Sequence, residues 1–266
     1  MSAVSKVIHK QVSTCVNEFD LNPRSAMGEE IVSILNWPWP NGDRTSLDIV
    51  LSYFDPERFD PALYNSFTIE RPVAIANSVR KRQAEFFYGR LCAREALRRA
   101  GATDTHVSRA PNRAPVWPLA MIGSISHTGT LAAATAVPAA QLGGIGIDVE
   151  HVINQETCKT LLGVVVNARE AALLGQLAQQ EDFSRLLTVV FSAKESFFKG
   201  SFSLVGYHFG FDVLEVEYID LDRQTITFLI KQTLCNHFPK GERCVVGFSY
   251  LDARTVLTVY LRLFSR

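Results

Sequence analysis

From residue 213 to residue 263 the chain falls into four apolar stretches, VLEVEYID, TITFLIK, RCVVGFSYLD and TVLTVYLRL. Each alternates β-branched or aromatic residues with polar ones, and polar turns separate them. That period suits strands with one buried face, joined in sequence as an antiparallel sheet. Two helical segments precede the sheet, VVVNAREAALLGQLAQQ and FSRLLTVVFSAKESFFKGSF. Helices together with mostly antiparallel strands make the expected class α+β.

The first two-thirds has its own helix and strands. The stretch NWPWPNGD, with two prolines and an Asn-Gly pair, breaks any regular element. SLDIVLSYFD then reads as a strand. Residues 78–100 read as a strong helix, with Phe86, Phe87, Leu91, Ala93 and Leu97 at three- and four-residue steps and Gly101 as its stop. The proline-rich RAPNRAPVWP is expected to run extended. After it, GSISH leads into two short strands, TLAAATAV and LGGIGIDVE. Each half pairs helices with a small sheet, and no short-period repeat is present.

A chain of 266 residues can bury one large core or two smaller ones. Its 27 basic and 27 acidic residues balance, so nothing pulls the whole molecule toward nucleic acid or anionic membrane. Any phosphate binding must come from local clusters. The five cysteines, Cys15, Cys92, Cys158, Cys235 and Cys244, lack the CxxC spacing of a zinc or redox site and read as free thiols in a reducing cytoplasm. No apolar run of membrane-spanning length and no secretory leader are evident, so a soluble intracellular protein is expected.

In GGIGIDVE, Asp148 and Glu150 are one residue apart, so on a strand both leave the same face. Two like charges there call for a cation, and Mg²⁺, a hard ion that bridges phosphates, would serve. An edge strand running into solvent carries the same D-x-E pattern, and these residues alone leave both readings open. Glu195, on the later helix, could be a third carboxylate, with Lys199 one turn further on. A lysine there could neutralise phosphate, or act as a base if burial lowers its pKa. The helix over 78–100 carries seven cationic residues. Such a run is commonly a solvated face. Arg82 and Arg90 nevertheless lie only about 80° apart around it and could converge on one phosphate. Arg109 and Arg113 extend the positive region, and His127 offers a donor or a satisfied structural ring.

In this order the pieces resemble the 4′-phosphopantetheinyl transferase superfamily, of the surfactin/enterobactin-synthetase-associated type. GIGIDVE looks like its metal-binding strand, and FSAKESFFK looks like its second motif. RAPVWPLAMIGSISHT is similar to a segment of the enterobactin branch, and KRQAEFFYGRLCAREAL to that branch's arginine-bearing helix. The matches run from about residue 80 to residue 200. The resemblance implies a pseudo-dimer of two similar α+β halves, 1–144 and 145–266, with the site at their junction. It implies transfer of the phosphopantetheine arm of coenzyme A to a serine of an apo acyl or peptidyl carrier protein, releasing 3′,5′-ADP. By the same likeness, Asp148, Glu150 and Glu195 would bind Mg²⁺, with Mn²⁺ left open. Lys199 would act at the attacking serine and pyrophosphate, and Lys194 would meet the phosphates. Ser126 and His127 would hold coenzyme A, Arg82 and Arg90 would contact its 3′-phosphate, and Arg109 and Arg113 would occupy the nucleotide loop. That loop lacks the glycine many members carry. A cytoplasmic monomer with no nucleic-acid partner is expected.

Two rivals differ in class. A catalytically silent coenzyme A-binding or carrier-docking protein would have no need of three metal carboxylates. A serine acyltransferase or hydrolase is suggested by S-x-x-K at Ser196 and Lys199, but the companion S-D-N and K-T-G elements are absent.

Overall fold

The computed structural model describes residues 32–38 and 46–264. The Asn41-Gly42 break and Cys15 lie outside them. The first sheet has the antiparallel order β1-β2-β6-β5, built from β1 (Ser33–Trp37), β2 (Leu47–Tyr53), β6 (Leu131–Pro138) and β5 (Met121–His127). The second has the order β7-β11-β10-β9-β8, from β7 (Gly144–His151), β11 (Thr255–Arg262), β10 (Arg243–Asp252), β9 (Thr225–Ile230) and β8 (Leu214–Asp220). The four late strands pair antiparallel, as their alternation requires. Two one-turn helices, α1 (Leu63–Ser66) and α2 (Val73–Ala76), precede the long α3 (Arg80–Arg99). In the second half come α4 (Gln155–Leu161), α5 (Ala168–Leu177) and α6 (Phe183–Val205).

The layers stack α3, first sheet, second sheet, α6. The apolar stripe of α3, including Phe87, Ala93 and Leu97, packs on Val50, Ala132 and Ala134 of the first sheet. That sheet's other face, with Ile49, Leu51 and Ala133, meets Ile147, Val149 and Leu257 of the second. The second sheet's far face carries α6 through Val190, Phe197, Val246 and Tyr260. The strand LAAATAV of β6 is buried throughout because helix and sheet cover its two faces.

Local signals set the ends of the long helices. Asp182 accepts from the Arg185 N–H and caps the start of α6, and Gly206 at φ +78° ends it. Gly101, at φ +80°, follows α3. Two expectations need revision. RAPNRAPVWP is not simply extended: β3 (Ser108–Arg109) and β4 (Pro115–Val116) pair antiparallel as a tight hairpin. The β1 strand was not expected so near the prolines. Its register against β2, with Leu35 opposite Ile49, supplies the partner that makes it a strand.

Candidate active site

The geometry of the site begins with backbone contact between α6 and β7. A methyl group on Gly146 would run into the Ser196 carbonyl, and one on Gly144 into the Gly200 carbonyl. With no side chains between them, helix and strand touch directly. Asp148 and Glu150, on the same face of β7 as these glycines, therefore lie under the α6 turn that carries Glu195 and Lys199. On the opposite side of β7, the edge strand β5 is stitched to it by serine hydroxyls: Ser124 accepts from the Ile147 N–H at 3.0 Å, and Ser126 from the Val149 N–H at 3.2 Å.

Asp148 is 3% exposed. Its Oδ1 accepts from Lys199 Nζ at 2.7 Å and from Ser126 Oγ at 2.9 Å, while its buried Oδ2 has no hydrogen-bond partner among the described residues. Lys199 thus pairs with Asp148 across the seam rather than with Glu195, its neighbour one turn back. Burial first, then the negative charges of Asp148 and Glu195, push the Glu150 carboxyl up to about 7. Burial and Asp148 likewise raise Glu195, with Lys199 opposing in both cases. Three carboxylates face a single lysine. Among the described residues, however, no three His, Cys, Asp or Glu side chains stand in a ready-made metal-ligand cluster. The orphaned Oδ2 and the upward pressure on both glutamates are what a cation binding there would relieve, so the donor set suits a hard divalent ion.

Two expected residues turn out otherwise. The Ser126 hydroxyl donates to Asp148, and accepts from Val149 and from Lys199 Nζ at 2.9 Å. One donor and two acceptor positions are then filled, leaving nothing for a ligand. Lys194 is 2% exposed and points away from the carboxylates. Its Nζ donates to Glu170 at 2.9 Å, to the Val165 carbonyl at 2.7 Å and to the Phe211 carbonyl at 3.3 Å. Adjacent helical residues diverge by roughly 100°, so Lys194 cannot share the direction of Glu195. It is a buried tie between α6, α5 and the turn at Phe211 that leads into β8, not a phosphate ligand.

The cations lie to the other side. His127, at the end of β5, is 2.8 Å by its Nε2 from Arg82 Nη1, and burial pulls its pKa down. Asp148 and Lys199 also act on it, so this ring stands between carboxylates and arginines. Arg90 lies over the Phe86 ring, 4.7 Å from its centroid. Burial, then Arg109, then Arg82 lower Arg90 to about 10. Such crowding of like charge is relieved by an anion. Arg90, Arg109 and Arg113 line a cleft of about 780 Å³ together with Phe86 and Arg94. Arg94 was not singled out from the sequence, because among seven cations nothing distinguishes it. Arg113 sits at φ +73° in the β3–β4 hairpin, a left-handed conformation that favours glycine.

A second pocket, about 180 Å³, opens beside Glu195 between Phe198, His208, Phe209 and Phe211. Sequence reasoning passed over these residues. The aromatic cluster YHFGF just past the helix was the available signal.

The class is set by this layout: two α+β layers pairs joined face to face, with buried carboxylates and clustered arginines along one seam. A family model described as the 4′-phosphopantetheinyl transferase N-terminal domain matches residues 70–137, and one described as the 4′-phosphopantetheinyl transferase superfamily matches residues 144–246. The chain is similar to enterobactin synthase component D of Escherichia coli strain K12, 35% identical over 146 residues, covering 54% of this chain and 68% of that protein. It is similar to component D of Salmonella typhimurium, 38% identical over 120 residues, 45% of this chain and 48% of the other. It is also similar to 4′-phosphopantetheinyl transferase Svp of Streptomyces mobaraensis, 34% identical over 158 residues, 59% and 63% of the two chains. The matches thus span from about half to about two-thirds of these relatives. The chain belongs to the 4′-phosphopantetheinyl transferase superfamily.

No helix among the described residues is long and apolar enough to cross a membrane.

Proposed function

We propose that this protein transfers the 4′-phosphopantetheine arm of coenzyme A to a serine of an apo acyl or peptidyl carrier protein, releasing 3′,5′-ADP. The names of its relatives support the reaction. The observation that carries it to particular residues is the buried, unpartnered Oδ2 of Asp148, beside Lys199 and flanked by two carboxyls whose pKa values are raised.

Asp148, Glu150 and Glu195 would hold Mg²⁺ or Mn²⁺. Held by these three carboxylates, such an ion would supply positive charge to neutralise the diphosphate. Arg90, Arg109 and Arg113 take the nucleotide end, with Arg82 and His127 beside them at its 3′-phosphate. The pocket of Phe198, His208 and Phe209 suits the pantetheine arm, since it starts at Glu195. In the chemical step the carrier serine Oγ bonds to the β-phosphorus, the bond from that phosphorus to the bridging oxygen breaks, and the α-phosphate departs with 3′,5′-ADP. Charge grows on the departing phosphate and on equatorial oxygens. Lys199 keeps one N–H beyond those given to Asp148 and Ser126, and this donor supports a stabilising role there. Both of these bonds have Lys199 as the donor, so the serine proton is assigned to the Glu195 carboxylate, which burial makes more basic. Ser126 positions Asp148 and Lys199.

We also set the boundary of the two halves at 144/145, supported by the change of sheet between Pro138 and Gly144. We read it as a monomer and place it in the cytoplasm, a reducing setting with which free Cys92, Cys158, Cys235 and Cys244 accord. Incubation with coenzyme A, Mg²⁺ and several apo carriers, followed by intact mass measurement, tests the function. A gain of one phosphopantetheine unit is expected; a panel of unmodified carriers counts against it.

A further inference from the structure

The Arg82–His127 contact joins side chains from two different elements, one from α3 and the other from the end of β5. The two do not belong together by charge, since a permanent cation repels a histidine that gains a proton. Glu85 stands with them, one turn along α3, its side chain only 12% exposed. Its Oε2 accepts from Arg82 Nη1 at 3.1 Å and lies 3.7 Å from His127 Nδ1. A guanidinium can only donate, so at 2.8 Å the His127 Nε2 must accept from Arg82. The ring is then neutral, its proton is on Nδ1, and that proton faces the Glu85 carboxylate. Arg82 is the most exposed of the three, with 40% of its side chain accessible, and a long side chain of that kind would otherwise sample many rotamers.

We propose that Glu85 is a positioning residue for cofactor recognition, one carboxylate that gathers Arg82 and His127 into a single donor pair for the 3′-phosphate of coenzyme A. This rests on the coenzyme A reading given above. Glu85 touches neither the reacting atoms nor the carboxylate cluster. Its effect is to remove rotamer freedom from Arg82 and to fix the His127 tautomer before the ligand arrives, which favours binding without changing the chemical step.

The test measures KM and kcat, together with calorimetric binding constants, for coenzyme A and 3′-dephospho-coenzyme A. It compares wild type, Glu85→Ala and Glu85→Gln. Glu85→Ala is expected to weaken coenzyme A about tenfold, the effect of losing one charge-assisted hydrogen bond. Its kcat should stay within about twofold, and dephospho-coenzyme A should be nearly unaffected. Glu85→Gln keeps an oxygen that accepts from Arg82 and should restore most of the affinity. A purely structural role would weaken both cofactors alike and lower the melting temperature in step; that result overturns the proposal. So does an unchanged affinity for coenzyme A. A tightened affinity overturns it too, because Glu85 would then be competing for the anion's place. If wild type binds neither cofactor, the functional reading falls and this inference falls with it.

Discussion

Lys199 Nζ donates across 2.7 Å to Oδ1 of Asp148, while Oδ2 of the same carboxylate lies buried. One oxygen of the pair is satisfied by a cation on the chain itself, and the other has no partner among the described residues. Removing the carboxylate should therefore do two kinds of damage. Asp148→Asn is expected to slow carrier modification by about 10²-fold or more, because a ligand and the partner of Lys199 go together. Rate measurements at saturating coenzyme A check this, with circular dichroism confirming the fold.

Lys199→Ala separates binding from chemistry. A donor aimed at charge that develops only in the transition state affects kcat, and its loss costs on the order of 10²–10³-fold. KM for coenzyme A should change far less. Comparable losses in both would make Lys199 a ground-state ligand.

The raised Glu150 pKa predicts a particular pH dependence. Its folded value of about 7 exceeds the ordinary 4.5, so the folded state holds the proton more tightly. The stability this group contributes is complete below about pH 4.5 and is lost as pH rises through about 7. Glu195 acts in the same direction. Allowing for partial solvent screening, Glu150→Gln should gain about 2 kcal/mol relative to wild type between pH 5 and pH 8 without metal. Added Mg²⁺ should shrink the gap at pH 8 by stabilising wild type. Urea denaturation at the two pH values reads both effects.

The Lys194–Glu170 pair predicts a stability loss rather than a catalytic one. Both side chains are 2% exposed, and Glu170 also accepts from the Val216 N–H and closes the capping box of α5. Glu170→Ala leaves a buried ammonium without its carboxylate and should cost about 3–5 kcal/mol in urea denaturation.

Arg113→Gly should move two quantities in opposite directions. Relief of the left-handed backbone at φ +73° should stabilise the fold by about 1 kcal/mol. Loss of a guanidinium from the cleft should raise KM for coenzyme A about tenfold. Thermal melts and initial rates on one preparation measure both.

How far the residues announced these features depends on what fixes each one. The α3 helix was legible within a residue or two at each end, because Phe86, Phe87, Leu91 and Leu97 set a strong period and Gly101 a stop. The four late strands were legible for the same reason. Asp148 and Glu150 on one strand face, and Glu195 with Lys199 on one helix face, follow from spacing alone. Spacing could not tell that Lys199 would choose Asp148 over Glu195, since that depends on glycine contact between α6 and β7 from distant parts of the chain. Nor could it tell what Lys194 meets on its own side of the helix. Its partner Glu170 lies on another helix, and the lysine follows the buried carboxylate. The same holds for Ser126, whose hydroxyl is spent on a neighbouring strand. β1 became a strand through its pairing with β2, against the local reading of Trp37-Pro38 as a break.

The most direct measurement is calorimetric titration of Mg²⁺ into the protein with coenzyme A present, for wild type and Glu195→Gln. One ion per chain is expected in wild type and none at comparable concentrations in the variant, while coenzyme A still binds both. Equal Mg²⁺ binding by the two proteins, or no binding by wild type, would contradict a metal held among Asp148, Glu150 and Glu195.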